Sequence, residues 1–154
     1  MNSASDVNIP PGQTLAEYLC FAVYSANLSF NRNYKPILDQ LGLTYTQYIT
    51  LVALSERDNQ TVTGLGEKLF LESNTLTPML KKLENMGYVR RTRDSADERH
   101  VRVELTDTGR AVRKQAFADS AGLTEACGLT PDEFVLAREL MHKVRHSLFQ
   151  SLGN

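Results

Sequence analysis

From Thr14 to about Asn33 apolar residues recur at helical spacing on nearly every side, which predicts a helix buried over most of its surface. Pro36 has no N–H to donate and is expected to interrupt or restart that helix. "KPILDQLG" then runs to a C-terminal cap at Gly42. "TYTQYITLVALSER" (44–57) carries Tyr48, Ile49, Leu51, Val52 and Leu54, predicting a third helix capped by Thr44 or Thr46. "TVTGLGEKLF" (61–70) predicts a short helix weakened by Gly64 and Gly66. In "LESNTLTPMLKKLENMGY" the residues Leu76, Met79, Leu80, Leu83 and Met86 form an inward face. Asn74, Thr77, Pro78, Lys81 and Asn85 lie opposite, and Gly87 is the stop signal. Two starts are open: near Ser73 or Asn74, or at Thr77 as N-cap with Pro78 in the favoured first position.

Beyond Gly87 the period changes. "YVRRTR" and "HVRVELT" are β-prone runs joined by the turn-forming "DSADER", and Val101, Val103 and Leu105 alternate with Arg102 and Glu104. A β-hairpin is therefore expected, followed by a helix behind the cap Thr106. A glycine-containing stretch around Gly122–Leu129 holds Cys127 and leads to Thr130, Pro131 and Glu133, a capping box with proline at its preferred place. The last helix has Phe134, Ala137, Met141, Val144 and Leu148 on one stripe, with Leu136 and Leu140 beside it. That stripe needs the first helix or a partner subunit to cover it. Residues 1–13, with Pro10, Pro11 and Gly12, read as a loose arm. Two short helices, a turn, a longer helix and a basic hairpin describe a winged helix-turn-helix in a mostly α chain.

Composition narrows the function classes. A chain of 154 residues suits one domain, or a small domain with an oligomerisation element. No apolar run approaches the ~20 residues needed to span a bilayer, and the N-terminus shows no secretory signal, so the cytoplasm is the default compartment and no membrane partner is expected. Cys20 and Cys127 are too far apart in sequence for a CxxC metal pattern. His142 and His146 are spaced i, i+4 but lack a third ligand, so a solvated helix face is the reading, with no metal and no cofactor. Net charge is −1, yet Lys81 to Arg102 holds seven basic and four acidic residues, leaving the rest of the chain at −4.

A basic segment on an acidic body favours nucleic acid. Ser73, Asn74, Thr75 and Thr77 can bond phosphates or base edges at a helix N-terminus, with Lys81 and Lys82 near phosphates. Arg91, Arg93 and Arg99 of the wing can reach backbone or a minor groove. The competing reading is a polar helix face and an ordinary charged hairpin. Pattern, hairpin and charge asymmetry agree on double-stranded DNA, and in that architecture symmetric dimers read the two half-sites of a pseudo-palindromic operator. Cys20 sits in "EYLCFAVYSA" among Leu19, Phe21, Ala22 and Val23, which by itself favours an inert core thiol over a disulfide or a reactive centre.

"LENMGYVRRTRDSADERHVRVELTDTGR" resembles the wing region of MarR-type transcriptional regulators, including the turn Asp97-Glu98-Arg99. "LCFAVYSAN", "YKPILDQLGLTYTQY" and "LFLESNTLTPMLKKLE" resemble more narrowly the organic hydroperoxide resistance regulators, with Glu72 and Asn74 as variations. The resemblance implies one domain over 1–154, with a DNA-binding region at 44–105 and dimerisation helices at 14–42 and 106–154. It implies an obligate homodimer and a non-enzymatic repressor, with Asp97 shaping the wing turn and Cys20 as the thiol that meets an organic hydroperoxide. It further implies that Tyr34 and Tyr45 hydrogen-bond the reactive sulfur, and that Cys127 resolves the oxidised form across the dimer.

Such chemistry needs a stabilised thiolate. No Lys, Arg or His lies within several residues of Cys20, and its expected depth in the helix leaves little help from the dipole, so hydroxyl donors are the remaining route. Two other readings stay open. One is a MarR-type repressor relieved by a non-covalent small ligand, its pocket lined by aromatics such as Phe21, Tyr24, Phe30 and Tyr48; the other is a thiol peroxidase.

Overall fold

The computed structural model describes residues 10–12 and 14–153. Most of the expected N-terminal arm lies outside the described residues. Two compact units follow one another, the first up to Asp119 and the second from Ser120.

The first unit is a winged helix-turn-helix with a long helix before it. A single 3-10 turn, Leu15–Glu17, leads to α1, Leu19–Gln40, and then α2, Tyr45–Glu56. A two-residue strand β1, Gln60–Thr61, precedes α3, Val62–Leu69, and α4, Ser73–Asn85. The hairpin β2, Val89–Arg93, and β3, Val101–Leu105, feeds α5, Asp107–Asp119. The sheet order is β1-β3-β2, all antiparallel. Register pairs Arg90 with Glu104, Arg91 with Val103 and Thr92 with Arg102.

One core holds this unit together. Leu38 of α1, Leu51 and Leu54 of α2, Leu65 of α3, Leu76, Leu80 and Leu83 of α4, and Val103 of β3 are fully buried in one cluster. The inward face expected for α4 is thus present, with Met79 and Met86 packed against it. The caps act as their chemistry dictates. Thr44, not Thr46, caps α2, accepting the Gln47 N–H at 3.2 Å while Gln47 Oε1 accepts the Thr44 N–H at 2.8 Å. Thr106 accepts the Gly109 N–H at 3.0 Å and donates its hydroxyl to the Gly87 carbonyl at 2.6 Å.

Two expectations need correction, and two features lie beyond what the pattern signalled. Pro36 does not interrupt α1, which runs through it. The lost hydrogen bond at Pro36 falls in the last turns, where buried Leu38 anchors the helix and accepts the Leu41 and Leu43 N–H groups at 3.0 and 2.9 Å. Nor is the first helix buried on most sides: Leu38 is its buried residue, while Leu19, Val23, Tyr24 and Phe30 stand exposed. Its apolar pattern marks surface that a single chain leaves open. The pairing of β1 with β3 was absent from the sequence reading, because two residues carry no periodicity. Gly66 does more than weaken α3: a Cβ there would lie 2.7 Å from the Leu71 carbonyl oxygen, so the helix-turn-helix corner requires glycine.

The second unit contains α6, Gly122–Ala126, and α7, Pro131–Leu152. Where a glycine-containing stretch was expected, a five-residue helix forms, with Cys127 as its C-cap and Gly128 next at φ +67°. The Thr130 capping box is formed, with the Glu133 N–H donating to Thr130 Oγ1 at 3.3 Å. Leu136, Leu140, Met141, Leu148 and Phe149 of α7 are exposed.

Candidate nucleic-acid interface and thiol site

α4 starts at Ser73, which settles the choice left open by the sequence, and Pro78 lies in its second turn. Pro78 cannot donate to the Asn74 carbonyl four residues earlier, which leaves an acceptor free near the helix start. Ser73, Asn74 and Thr75 are exposed there, as are Lys81 and Lys82 further along, and Thr77 is half-buried. Thr77, Arg91 and Arg99 come together in an open groove of about 220 Å³ between α3, α4 and the wing, lined also by Val62, Thr63 and His100. Hydroxyls, amides and ammonium groups on one face can bond phosphate oxygens and base edges.

The wing arginines divide by partner. Arg99 has its side chain 88% exposed and is gripped by Asp97, whose Oδ1 and Oδ2 accept from Arg99 Nε and Nη2 at 2.9 and 2.7 Å. Asp97 also accepts the Arg99 N–H at 3.1 Å, so it shapes the turn and aims the guanidinium outward. The hydrogen bonds from Arg99 hold the Asp97 carboxyl below its ordinary range. Arg93 is exposed and, like Lys81 and Lys82, has no ion-pair partner among the described residues. Arg91 is different: its side chain is only 22% exposed and is taken up by Glu84 of α4.

Three structural ion pairs carry no signal of their own in the sequence pattern, where Glu84 and Asp94 figure only as negative charge within the basic segment and Asp58 lies outside it. Glu84 holds Arg91; Asp94, 8% exposed, holds Arg102 through Nε to Oδ2 at 2.5 Å; and Asp58 holds Arg110. Alternation along β3 was the available signal, since it puts Arg102 and Glu104 together on the face away from Val103.

At the other site, Cys20 is exposed and both cysteines are free thiols. Cys20 is therefore not packing material in the core of its own chain. It is the second residue of α1, in the first turn, because the 3-10 turn and Tyr18 take up the preceding residues. That corrects the expectation of a position deep in the helix. Tyr34 packs on Tyr45 and Tyr48 of α2, with ring centroids 5.0 and 5.9 Å apart. Burial, with Tyr48 beside it, pushes the Tyr45 hydroxyl pKa up, so Tyr45 stays a proton donor at neutral pH. Within one chain the structure does not bring Cys20 to these tyrosines. Cys20 and Tyr34 share one helix, and the residues between them span about 21 Å of rise. Cys127 is half-buried, its thiol donating to the Leu123 carbonyl at 3.3 Å.

No helix among the described residues is long and apolar enough to cross a membrane, and no group of three or more His, Cys, Asp or Glu there could hold a metal ion.

Comparison with known proteins places this arrangement. The family of transcriptional regulators SarA/Rot matches residues 32–115. The chain is 40% identical over 142 residues to the HTH-type transcriptional regulator TtmR of Methylorubrum extorquens, covering 92% of this chain and 73% of that protein. It is 43% identical over 102 residues to the organic hydroperoxide resistance transcriptional regulator of Bacillus subtilis, covering 66% and 69%. Among solved structures it resembles reduced AbfR bound to DNA, with a TM-score of 0.73 at 36% identity over 87% of this chain and 94% of that one. It also resembles disulfide-formed AbfR, with a TM-score of 0.66 at 36% identity over 87% and 92%, and AbfR is a protein of Staphylococcus epidermidis. With the wing, the recognition helix and these relatives together, the chain belongs to the MarR-like SarA/Rot family of transcriptional regulators.

Proposed function

We propose that the protein is a homodimeric repressor that binds double-stranded DNA in its reduced form and leaves it when an organic hydroperoxide oxidises Cys20. α4 enters the major groove through Ser73, Asn74, Thr75 and Thr77; Lys81 and Lys82 meet phosphates; Arg93 and Arg99 extend the contact from the wing. Arg91, being held by Glu84, supports the wing instead of reading DNA. The exposed apolar faces of α1 and α7 are covered by a second copy of the chain, as Leu19, Val23, Leu136 and Leu140 require. The relative AbfR, solved reduced on DNA and separately with a disulfide formed, supports reading two thiol states into this chain.

One observation carries the sensing part: the separation of Cys20 from Tyr34 along α1. Tyr34 and Tyr45 of one protomer serve the Cys20 of the other, so the thiol site exists only in the dimer. There the hydroxyls donate to the thiolate, and apolar neighbours such as Leu19 and Val23 favour an alkyl or lipid hydroperoxide over hydrogen peroxide. The thiolate attacks the peroxide O–O bond, taking one oxygen to become a sulfenic acid, and the other oxygen leaves, with a proton, as the alcohol. Cys127 of the second protomer then displaces water from the sulfenic acid, giving an intersubunit disulfide. Closing that bond moves the dimer helices and spoils the spacing of the two α4 helices on the half-sites.

The test is a gel shift with a duplex selected by the reduced protein from a randomised pool. Cumene hydroperoxide and then dithiothreitol follow, with a non-reducing gel alongside. Release by peroxide, recovery with dithiothreitol, a covalent dimer and insensitivity of Cys20→Ser are expected. Binding unchanged by peroxide sinks the sensor reading. Release without a covalent dimer sinks the Cys127 pairing, and sustained peroxide turnover without DNA affinity supports a thiol peroxidase instead.

A further inference from the structure

β2 and β3 are held by β1 and by buried Val89, Val103 and Leu105, but the turn beyond them, residues 94–100, lies outside the sheet and needs its own tether if it is to present Arg99 at a fixed place. The tether is visible in the polar groups on the face of β3 away from the core. Asp94, next after β2, is buried. Its Oδ1 accepts the Ala96 N–H at 2.9 Å, its Oδ2 accepts Arg102 Nε at 2.5 Å, and its own N–H donates to the His100 carbonyl at 2.8 Å. Arg102 reaches the other way as well, donating from Nη1 to the Asn59 carbonyl at 3.0 Å. Asn59 is held at φ +54° and donates its N–H to Asp58 Oδ1 at 2.9 Å. Asp58 in turn accepts the Leu105 N–H at 2.9 Å and pairs with Arg110 of α5. A continuous run of charge-assisted hydrogen bonds thus leads from the wing turn, through Arg102, to the corner between α2 and β1 and on to α5.

We propose that Arg102 and Asp94 are positioning residues for DNA reading: Arg102 bridges the wing turn to the Asn59 corner, fixing the angle of the wing, and touches no DNA itself. The inference rests on the DNA-binding reading above and adds to it a division of the wing cations. Arg93 and Arg99 point outward for contact. Arg102 has its charge taken up by Asp94, and its second arm ends on a backbone carbonyl. Two bridging arms in a fixed fork are what a guanidinium supplies and an ammonium does not.

Asp94 makes the test sharp, because it is acidic and lies beside a polyanion. Replacing it with Asn removes a repulsive charge, so simple electrostatics calls for tighter DNA binding. A positioning role calls for weaker binding. Affinity for the selected duplex is measured across a salt series for Asp94→Asn, Arg102→Leu and Arg102→Lys. Both Asp94→Asn and Arg102→Leu are expected to lose about tenfold in affinity with the salt slope unchanged, and Arg102→Lys to fall in between. Loss of a phosphate contact would reduce the slope by about 0.9. A slope reduced by that amount in Arg102→Leu overturns the proposal, as does unchanged or tighter binding by Asp94→Asn.

Amide exchange supplies a readout without DNA. Faster exchange at Ala96 and Leu105 in Asp94→Asn and Arg102→Lys, with the α2 core amides still protected, is the expected result. Unchanged exchange at the wing overturns the tether. If the wild-type chain selects no duplex, the DNA reading fails and the exchange result alone decides the tether.

Discussion

Glu84 and Arg91 lock the recognition helix to the wing. Arg91 Nε and Nη2 both donate to Glu84 Oε2, at 2.9 and 2.6 Å, and the Arg91 N–H donates to Oε1 at 3.0 Å. One carboxylate thus satisfies a side chain and a strand backbone at once, so α4 and β2 behave as one body. Arg91→Ala is expected to lower stability by about 1–2 kcal/mol, since it strips a partly buried carboxylate of its partner. Urea denaturation measures the change, and a shift within error would show the pair to be ornamental to stability.

The cations sort by salt dependence. Arg99→Ala and Lys81→Ala should each reduce the slope of log affinity against log salt by about 0.9, as one lost phosphate contact does. Arg91→Ala should weaken binding while leaving the slope alone. A reduced slope in Arg91→Ala would mean that this guanidinium leaves Glu84 for DNA.

Acid should loosen the wing before the helices. Burial pushes the Asp58 carboxyl up, but hydrogen bonds from the Leu105 and Asn59 N–H groups and Arg110 outweigh it, leaving Asp58 below its ordinary 3.8. Glu84 lies below its ordinary 4.5, chiefly through the side chain and then the backbone of Arg91. With folded values under the unfolded ones, the stability they contribute is complete above the unfolded values. It is lost as pH falls through the folded ones. Denaturation followed from pH 6 down to about pH 3 should show stability declining below about pH 4, with a shallower decline in Asp58→Asn. Equal acid limbs in the two proteins would remove Asp58 from this account.

Gly109 carries a steric prediction. A Cβ there would lie 2.0 Å from the Tyr88 carbonyl oxygen, where α5 begins against the end of the recognition unit. Gly109→Ala is expected to cost about 3 kcal/mol by denaturant midpoint, whereas Gly122→Ala, with open space around it, should cost almost nothing. Comparable midpoints for the two variants would contradict the close approach.

Mixed dimers can test whether the tyrosines act across the interface. A Cys20→Ser chain is paired with a chain carrying Tyr34→Phe and Tyr45→Phe. If the tyrosines serve the opposite protomer, the single remaining thiol faces two intact tyrosines and reacts with cumene hydroperoxide at the wild-type rate per thiol. If they serve their own protomer, that thiol faces none and reacts slowly. Stopped-flow kinetics on tagged, purified heterodimers separates the two.

Much of the architecture was legible because each element announced itself locally. The caps Thr44 and Thr130, the α4 stripe and the alternation of β3 are all short-range signals, and all appear in the structure. What failed depended on distant partners. Pro36 was expected to break a helix, yet buried Leu38 holds that helix to the core. Cys20 is the local exception: it was expected well inside a helix starting at Thr14, because the periodicity of residues 14–18 cannot distinguish a 3-10 turn from the first turn of an α-helix. The acid–base pairs were invisible because Asp58 and Arg110 meet only once β3 is laid beside β1. At the candidate site, residue types were readable but their division into contact and support was not.

The continuity of α1 through Pro36 makes it a lever. Its 22 residues span about 33 Å, with Cys20 at one end and, near the other, Leu38 sunk in the core that also holds Leu76 and Leu80 of α4. About a pivot at Leu38, a displacement of about 3 Å at Cys20 turns the rod by roughly 6°. A core packed like a crystal transmits that turn without absorbing it. On the proposed sensing reading, a covalent event at the exposed start of α1 would reach the recognition helix as a rotation about Leu38.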